Sequence, residues 1–129
     1  ATLEVLPGNR SAHIAVARCA LERGDLVEAK RHYARALAIR PHDMPTTMRL
    51  VEVLTRLGRV GEAEAHYADM LSRRPADATL RFNYAGLLAS TGRTEDAIRE
   101  LRRVLDIDPE FEAARRRLAI LRRGQKEHE

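Results

Sequence analysis

The apolar residues of the chain recur every three or four positions, the spacing that places side chains on one face of an α-helix. In residues 10–23 the stripe includes Ile14, Val16, Ala17, Ala20 and Leu21. Similar stripes run through five further stretches: 27–40, 44–57, 61–74, 78–91 and 95–108. No stretch alternates apolar and polar residues in the way of a half-buried strand. The pattern predicts an all-α protein built from stacked helix pairs.

Four kinds of residue recur with a period of 34 and mark where these helices begin and end. Asx residues at one position can cap a helix N-terminus, and each Gly tolerates the left-handed conformation that ends a helix. Each Ala lets the second helix of a pair approach the first closely, and each Pro stops that second helix. The columns are Asn9/Asp43/Asp77, Gly24/Gly58/Gly92, Ala29/Ala63/Ala97 and Pro7/Pro41/Pro75/Pro109.

These columns resemble the tetratricopeptide repeat, whose period is also 34 residues. The stretch Leu88-x3-Gly92-x4-Ala97-x3-Leu101-x2-Val104-x4-Pro109 looks like the signature of that family, and two earlier copies keep the register. The large aromatic residue of the family's first helix is missing, and His13, Thr47 and Arg81 occupy its column. The resemblance implies a right-handed α-solenoid of stacked antiparallel helix pairs.

The repeat register divides the chain into five parts. Residues 1–9 are predicted to be the tail of a truncated preceding repeat, so that the chain would be a fragment of a longer repeat protein. The three full repeats are predicted at 10–43, 44–77 and 78–111. Residues 112–129 are predicted to form a capping helix with a polar tail, because terminal repeats of a solenoid need a polar outer face.

Composition narrows the possible classes of protein. A length of 129 residues is that of one domain. Hydrophobic residues make up 44% of the chain and charged residues 33%, which is typical of a folded protein. A single cysteine excludes an internal disulfide and a multi-cysteine zinc site. No apolar run is long enough for a membrane helix, and no secretory signal is visible. The compartment stays open between cytoplasm and periplasm. The positive charge is concentrated at the two ends of the chain, which argues against a continuous nucleic-acid track.

The sequence offers no group that we would assign to catalysis. His32 and His66 are one repeat apart, and a metal site shared between them is disfavoured against the same column being filled twice. Cys19 is predicted to be a small buried side chain near the packed face of the first helix. None of the seven glycines forms a phosphate-binding loop. We therefore expect a protein that is not an enzyme and that needs neither a cofactor nor a metal.

The resemblance implies instead a concave groove that holds a peptide of a partner. Transferred by repeat register, the groove residues are Ile14, Arg18, Met48, Arg49, Glu52, Arg56, Phe82, Asn83, Gly86 and Arg117. Ile14, Met48 and Phe82 share one column and would form an apolar ladder, and the arginines beside it could bind carboxylates. The bound segment would then be amphipathic with acidic character. In the alternative interpretation the ladder packs between adjacent helices and the arginines are solvated surface.

The chaperone-tail clamp of the family is disfavoured. Its basic and amide residues would fall on Ile14, Arg18, Arg49, Thr79 and Asn83, and none of these positions carries the residue of the clamp.

The sequence thus predicts a scaffold that binds a partner protein or peptide in its groove. A first alternative is the repeat region of a larger enzyme or of a secretion or assembly factor, with the chemistry outside this chain. A second alternative is a binder of nucleic acid or another anionic surface, whose affinity would fall steeply with salt. Self-association through the truncated N-terminal end is a further expectation.

Overall fold

Seven α-helices follow one another along the chain in a computed structural model that describes residues 8–127. Those residues contain no β-strand. The helices are α1 (Arg10–Glu22), α2 (Leu26–Ile39), α3 (Met44–Arg56), α4 (Val60–Arg73), α5 (Ala78–Ser90), α6 (Thr94–Ile107) and α7 (Glu112–Glu127). The first six begin and end within one residue of the stretches predicted from apolar spacing. The predicted tail at 1–9 falls almost wholly outside the described residues, and the repeat boundaries stay a prediction.

Asx residues start three of the helices, as the sequence predicts. The side chains of Asn9, Asp43 and Asp77 accept hydrogen bonds from the backbone amides of Ala12, Thr46 and Leu80, three residues further on. Each bond satisfies an amide that has no carbonyl partner in the first turn of a helix. The 34-residue Asx column is therefore a column of helix caps.

The glycine column ends the first helix of each pair. Gly24, Gly58 and Gly92 have φ angles of 80°, 78° and 81°, in the left-handed region. The amide of the residue after each glycine donates to a carbonyl five positions back, at 2.8 Å, 2.8 Å and 2.9 Å in chain order. This pairing is the Schellman arrangement of a helix C-terminus. It turns the chain so that the second helix starts only a few residues later.

Two glycines on or just after α5 should respond oppositely to substitution by alanine. Gly92→Ala is expected to lower the free energy of unfolding by about 1 kcal/mol, because a Cβ is strained at positive φ. Gly86→Ala is expected to raise it by about 0.5–1 kcal/mol, because Gly86 lies inside the helix and a Cβ there meets no atom within 4 Å. Urea unfolding of the two variants measures both changes, and equal signs would contradict the assignment.

The described chain forms two compact units that divide between His66 and Tyr67. In the first unit α1 packs against α2, and α2 packs against α3. His13 on the first turn of α1 meets His32 on the second turn of α2. Only residues 23–25 connect the two helices, so they run antiparallel. Ala17, Ala20 and Ala29 are fully buried, which agrees with the prediction that small side chains allow close helix contact.

In the second unit α6 packs against both α5 and α7. Ala85, Leu101, Val104 and Ala114 form its buried cluster. Five larger apolar side chains cover this cluster from the outside: Phe82, Leu105, Phe111, Leu118 and Leu121. The predicted C-terminal helix thus packs on α6 through one apolar side, and its arginines at 115–117 and 122–123 are exposed.

Buried polar pairs replace the aromatic side chain that the family has on its first helix. His13 Nδ1 lies 3.0 Å from His32 Nδ1, and His32 Nε2 lies 2.9 Å from Glu28 Oε1. Hydrogen bonds from Arg31 lower the pKa of Glu28, so this ionised carboxylate accepts a hydrogen bond from Nε2–H of His32. Nδ1 of His32 is then the acceptor for Nδ1–H of His13. In the second unit the same two columns hold an ion pair between Arg81 and Glu100, with an N–O distance of 2.9 Å.

One prediction about packing is wrong. Cys19 is exposed rather than buried. Its neighbours Ala17 and Ala20 are the fully buried residues of this part of α1, and a helix places the position between them on another side.

Candidate functional site

A cavity of about 430 Å³ lies between α1, α2 and α3 of the first unit. We call it the first-unit cavity. Side chains from all three helices and from the α3 N-terminus contribute to its wall, and arginines are the most frequent residue type there. Its lining residues are Arg10, Ile14, Arg18, Tyr33, Asp43, Pro45, Thr46 and Arg49.

Tyr33 on α2 is the most deeply buried residue of this wall. Its side chain is 0% exposed, and its hydroxyl has no hydrogen-bond partner. Burial raises the pKa of Tyr33, and the positive charges of Arg49 and Arg18 act in the opposite direction. The hydroxyl is therefore a neutral donor that lies within the electrostatic reach of two arginines on the neighbouring helices.

Arg10 and Asp43 close one end of the cavity. Their side chains form an ion pair of 2.9 Å between α1 and the N-cap of α3. The hydroxyl of Thr46 also donates to Asp43, and this bond is the main reason that the pKa of Asp43 is lowered, against the opposing effect of burial. Asp43 is thus an ionised carboxylate that neutralises Arg10 while it caps α3.

The opposite side of the cavity carries the less compensated positive charge. Arg49 lies 3.4 Å from Glu52, and the same carboxylate lies 3.1 Å from Arg56. Arg18 is exposed, and within the part of the chain that the structure describes it forms no ion pair. Arg49 therefore shares one carboxylate with Arg56, and Arg18 is the less compensated of Arg18 and Arg49.

The structure brings three of the predicted groove residues together, because Ile14, Arg18 and Arg49 all line this cavity. Met48 is half-buried on α3, while Glu52 and Arg56 lie beyond Arg49 on the same helix. Arg10, Tyr33, Asp43, Pro45 and Thr46 were not among the predicted groove residues. Arg10 could have been found, because Arg10, Ile14 and Arg18 are four residues apart and share one face of α1.

The predicted groove residues of the second unit are partly packed and partly exposed. The ring of Phe82 lies 5.1 Å from the ring of Phe111, between centroids, and packs on the buried cluster. Asn83 and Arg117 are exposed, and open space surrounds the α-carbon of Gly86. The packing of Phe82 agrees with the alternative interpretation for that residue, and a continuous Ile14/Met48/Phe82 ladder stays a prediction.

The described residues give little support for a metal site or for a membrane-spanning helix. Residues 8–127 hold no group of three or more His, Cys, Asp or Glu side chains that could bind a metal ion. His32 has both ring nitrogens engaged, by His13 and by Glu28, which leaves neither for a metal shared with His66. None of the described helices combines the length and the apolar character needed to cross a membrane.

Comparison with known proteins identifies the family. The tetratricopeptide repeat model matches residues 20–70 and 54–121. We found no match among curated proteins.

Solved structures share the fold. A tetratricopeptide repeat protein from Parabacteroides merdae ATCC 43184 has a TM-score of 0.77 and 25% identity over 87% of this chain. The chain spans 45% of the length of that protein. The first tetratricopeptide domain of Spaghetti (RPAP3), bound to the HSP90 peptide SRMEEVD, has a TM-score of 0.74 and 14% identity over 97% of this chain and 99% of that one.

An enzyme also contains a similar region. The O-GlcNAc transferase of Thermobaculum terrenum, a K341M mutant, has a TM-score of 0.66 and 22% identity over 92% of this chain, but over only 23% of the enzyme. The similarity is therefore limited to a small part of that protein.

The matches confirm the predicted all-α helical repeat fold, which is in general a scaffold for protein–protein interaction. The family model covers most of the sequence, and the helix pairs and turn glycines recur in the same repeat. The chain belongs to the tetratricopeptide repeat family.

Proposed function

We propose that the chain binds a peptide segment of a partner protein at the first-unit cavity. The observation that carries this proposal is that Ile14, Arg18 and Arg49, chosen from repeat register, line one cavity together with Tyr33, whose buried hydroxyl lacks a partner. Pockets with an apolar wall and a few convergent polar groups are the common form of binding sites. Ile14 and Pro45 supply the apolar wall here, and the arginines supply charge.

The chemistry of the cavity favours an acidic segment. Arginine guanidinium groups bind carboxylates through two parallel hydrogen bonds, and both Arg18 and Arg49 are exposed enough to do so. The peptide bound to Spaghetti contains three acidic residues, which is consistent with this preference within the family. Its mode of binding is not transferred, because the clamp residues of the family are absent at the matching positions.

The test is a binding assay with a displayed library of random peptides, selected on the wild-type chain. Arg18→Ala with Arg49→Ala should weaken the selected peptides by about tenfold or more, since each arginine contributes a charge-assisted hydrogen bond. The matched control is Arg23→Ala with Arg35→Ala, which removes two exposed arginines of the same unit that do not line the cavity. If both variants lost the same affinity, the loss would come from the change in net charge and not from the cavity. Unchanged affinity in the cavity variant would contradict the proposal.

The alternative function, a repeat region of a larger enzyme, is favoured by the similarity to the O-GlcNAc transferase. Under this alternative the cavity would hold a segment of the enzyme's protein substrate. It predicts that the chain alone binds substrate peptides without transferring any group to them. Transfer activity retained by the isolated chain would contradict it.

A further inference from the structure

The hydroxyl of Tyr33 is an unusual feature of the first-unit cavity. A buried hydroxyl without a hydrogen bond costs free energy, and native proteins rarely leave one unpaired. Phenylalanine at this position would fill the same volume without that cost. The described fold offers no hydrogen-bond acceptor to the Tyr33 hydroxyl. An acceptor on a bound ligand would explain why this position carries tyrosine rather than phenylalanine.

Three helices each contribute one donor group around this point. Tyr33 comes from α2, Arg18 from α1 and Arg49 from α3, and all three line the same cavity. The charges of Arg49 and Arg18 both favour the ionised form of the hydroxyl, and the charge of Glu52 opposes them. Both arginine side chains are exposed and long, so they can swing aside to admit an acceptor oxygen to the hydroxyl.

The charge balance of the cavity leaves two positive charges. Arg10, Arg18 and Arg49 face one carboxylate in the wall, Asp43, which is already paired with Arg10. Glu52 lies outside the wall, pairs with both Arg49 and Arg56, and also acts on the Tyr33 hydroxyl. Arg10, Arg18, Arg49 and Arg56 together with Asp43 and Glu52 leave a net charge of +2. Asp43 would repel an anion from the Arg10 end. A bound anion is therefore drawn to the end where Tyr33, Arg18 and Arg49 meet.

Resting on the proposed function, we infer that the group anchored in the first-unit cavity is the phosphate of a phosphorylated serine or threonine in the partner segment. Its three terminal oxygens accept from the Tyr33 hydroxyl, the Arg18 guanidinium and the Arg49 guanidinium. Ile14 and Pro45 contact the neighbouring residues of the segment.

A phosphate fits this donor set better than a carboxylate. A phosphate monoester carries close to two negative charges at neutral pH and offers three acceptor oxygens, whereas a carboxylate carries one charge on two oxygens. The net charge of +2 around the cavity matches the charge of the phosphate, and donors from three helices suit its tetrahedral shape. Arginine also binds phosphate through paired N–H groups.

The experiment compares three synthetic peptide pools that are identical except at the central residue, which is phosphoserine, serine or glutamate. Fluorescence polarisation measures the affinity of each pool for the full chain. The phosphoserine pool should bind about tenfold more tightly than the serine pool and several-fold more tightly than the glutamate pool, because phosphate adds charge and acceptor oxygens. Inorganic phosphate at high concentration should compete with the phosphoserine pool alone.

Two variants test the donors. Arg18→Gln should lower the affinity for the phosphoserine pool about tenfold. It should leave the affinity for the serine pool nearly unchanged, because the Arg18 guanidinium contacts only the phosphate. Tyr33→Phe should weaken the phosphoserine pool several-fold while it raises the midpoint of thermal unfolding, because it removes an unpaired buried hydroxyl. Tyr67→Phe and Arg35→Gln are the matched controls, a buried tyrosine and an exposed arginine outside the cavity. They should leave the affinity for phosphoserine unchanged.

The outcomes separate this inference from the proposed function. Equal affinity of the phosphoserine and glutamate pools would overturn the phosphate assignment. If those pools still lose affinity in the cavity variants, the proposed function stands. If no pool binds, or if the cavity and control variants behave alike, both proposals fail. A Tyr33→Phe protein that keeps full affinity for the phosphoserine pool would overturn the role of the hydroxyl and, with it, the three-donor site.

Discussion

Replacing Glu100 with alanine is expected to lower the free energy of unfolding by about 3 kcal/mol, because it leaves the charge of Arg81 buried without its partner. The Glu100 side chain is 11% exposed and the Arg81 side chain 16%. Arg81 Nε also donates to the carbonyl of Pro75 at 2.8 Å, which holds the guanidinium in place after its partner is removed. The loss is measured by urea unfolding of the variant and the wild type.

A double substitution distinguishes the ion pair from simple packing. Arg81→Met combined with Glu100→Leu should come within about 1 kcal/mol of the wild type or exceed it, because buried ion pairs are often replaced by apolar pairs without loss. The matched control is Asp96→Ala, which breaks exposed pairs with Arg93 and Arg99 and should cost less than about 1 kcal/mol. A double variant as unstable as Glu100→Ala alone would show that the loss comes from packing rather than from an unpaired charge.

Much of the fold could be predicted because the features that determine it are local. The caps at Asn9, Asp43 and Asp77 and the positive φ angles of the three turn glycines depend on residues only a few positions apart. Such features are visible in a single sequence when they repeat. The residues that replace the family's aromatic side chain were visible too, but their partners on the second helix were not. The pairs His13/His32 and Arg81/Glu100 join residues 19 positions apart, and this offset becomes meaningful only when the antiparallel packing is known.

In the candidate site, too, some residues could be predicted from the sequence and others could not. Ile14, Arg18 and Arg49 could be predicted because repeat register alone indicates which residues share a face. Tyr33 could not, since the apolar period assigns its ring to the core, where the ring indeed lies, and says nothing about the hydroxyl. The error at Cys19 has a related cause. Periodicity gives the centre of an apolar stripe well, but burial at its margin depends on the neighbouring helices.

Raising the pH from 10 to about 12 is expected to remove on the order of 2 kcal/mol of stability through Tyr67, at 1.4 kcal/mol for each unit of pKa difference between the folded and unfolded chain. Burial raises the pKa of Tyr67 from 10.0 to about 12. The hydroxyl of the unfolded chain therefore ionises first. Its contribution to stability is complete below pH 10 and is lost as the pH rises to the folded value. The expected loss of stability is smaller than the full difference in pKa would give, because residual solvent access screens the charge.

The composition makes this alkaline transition unusually clean to measure. Lysines, which would lose their charge in the same range, occur only at positions 30 and 126. The arginines stay charged and the histidines are already neutral at this pH. Spectrophotometric titration gives the ionisation of tyrosine, and urea unfolding at each pH gives the stability. Tyr67→Phe should flatten most of the decline, and adding Tyr33→Phe should flatten a further part, because burial also raises the pKa of Tyr33. A decline that persists undiminished in the double variant would mean that neither tyrosine is buried in its neutral form.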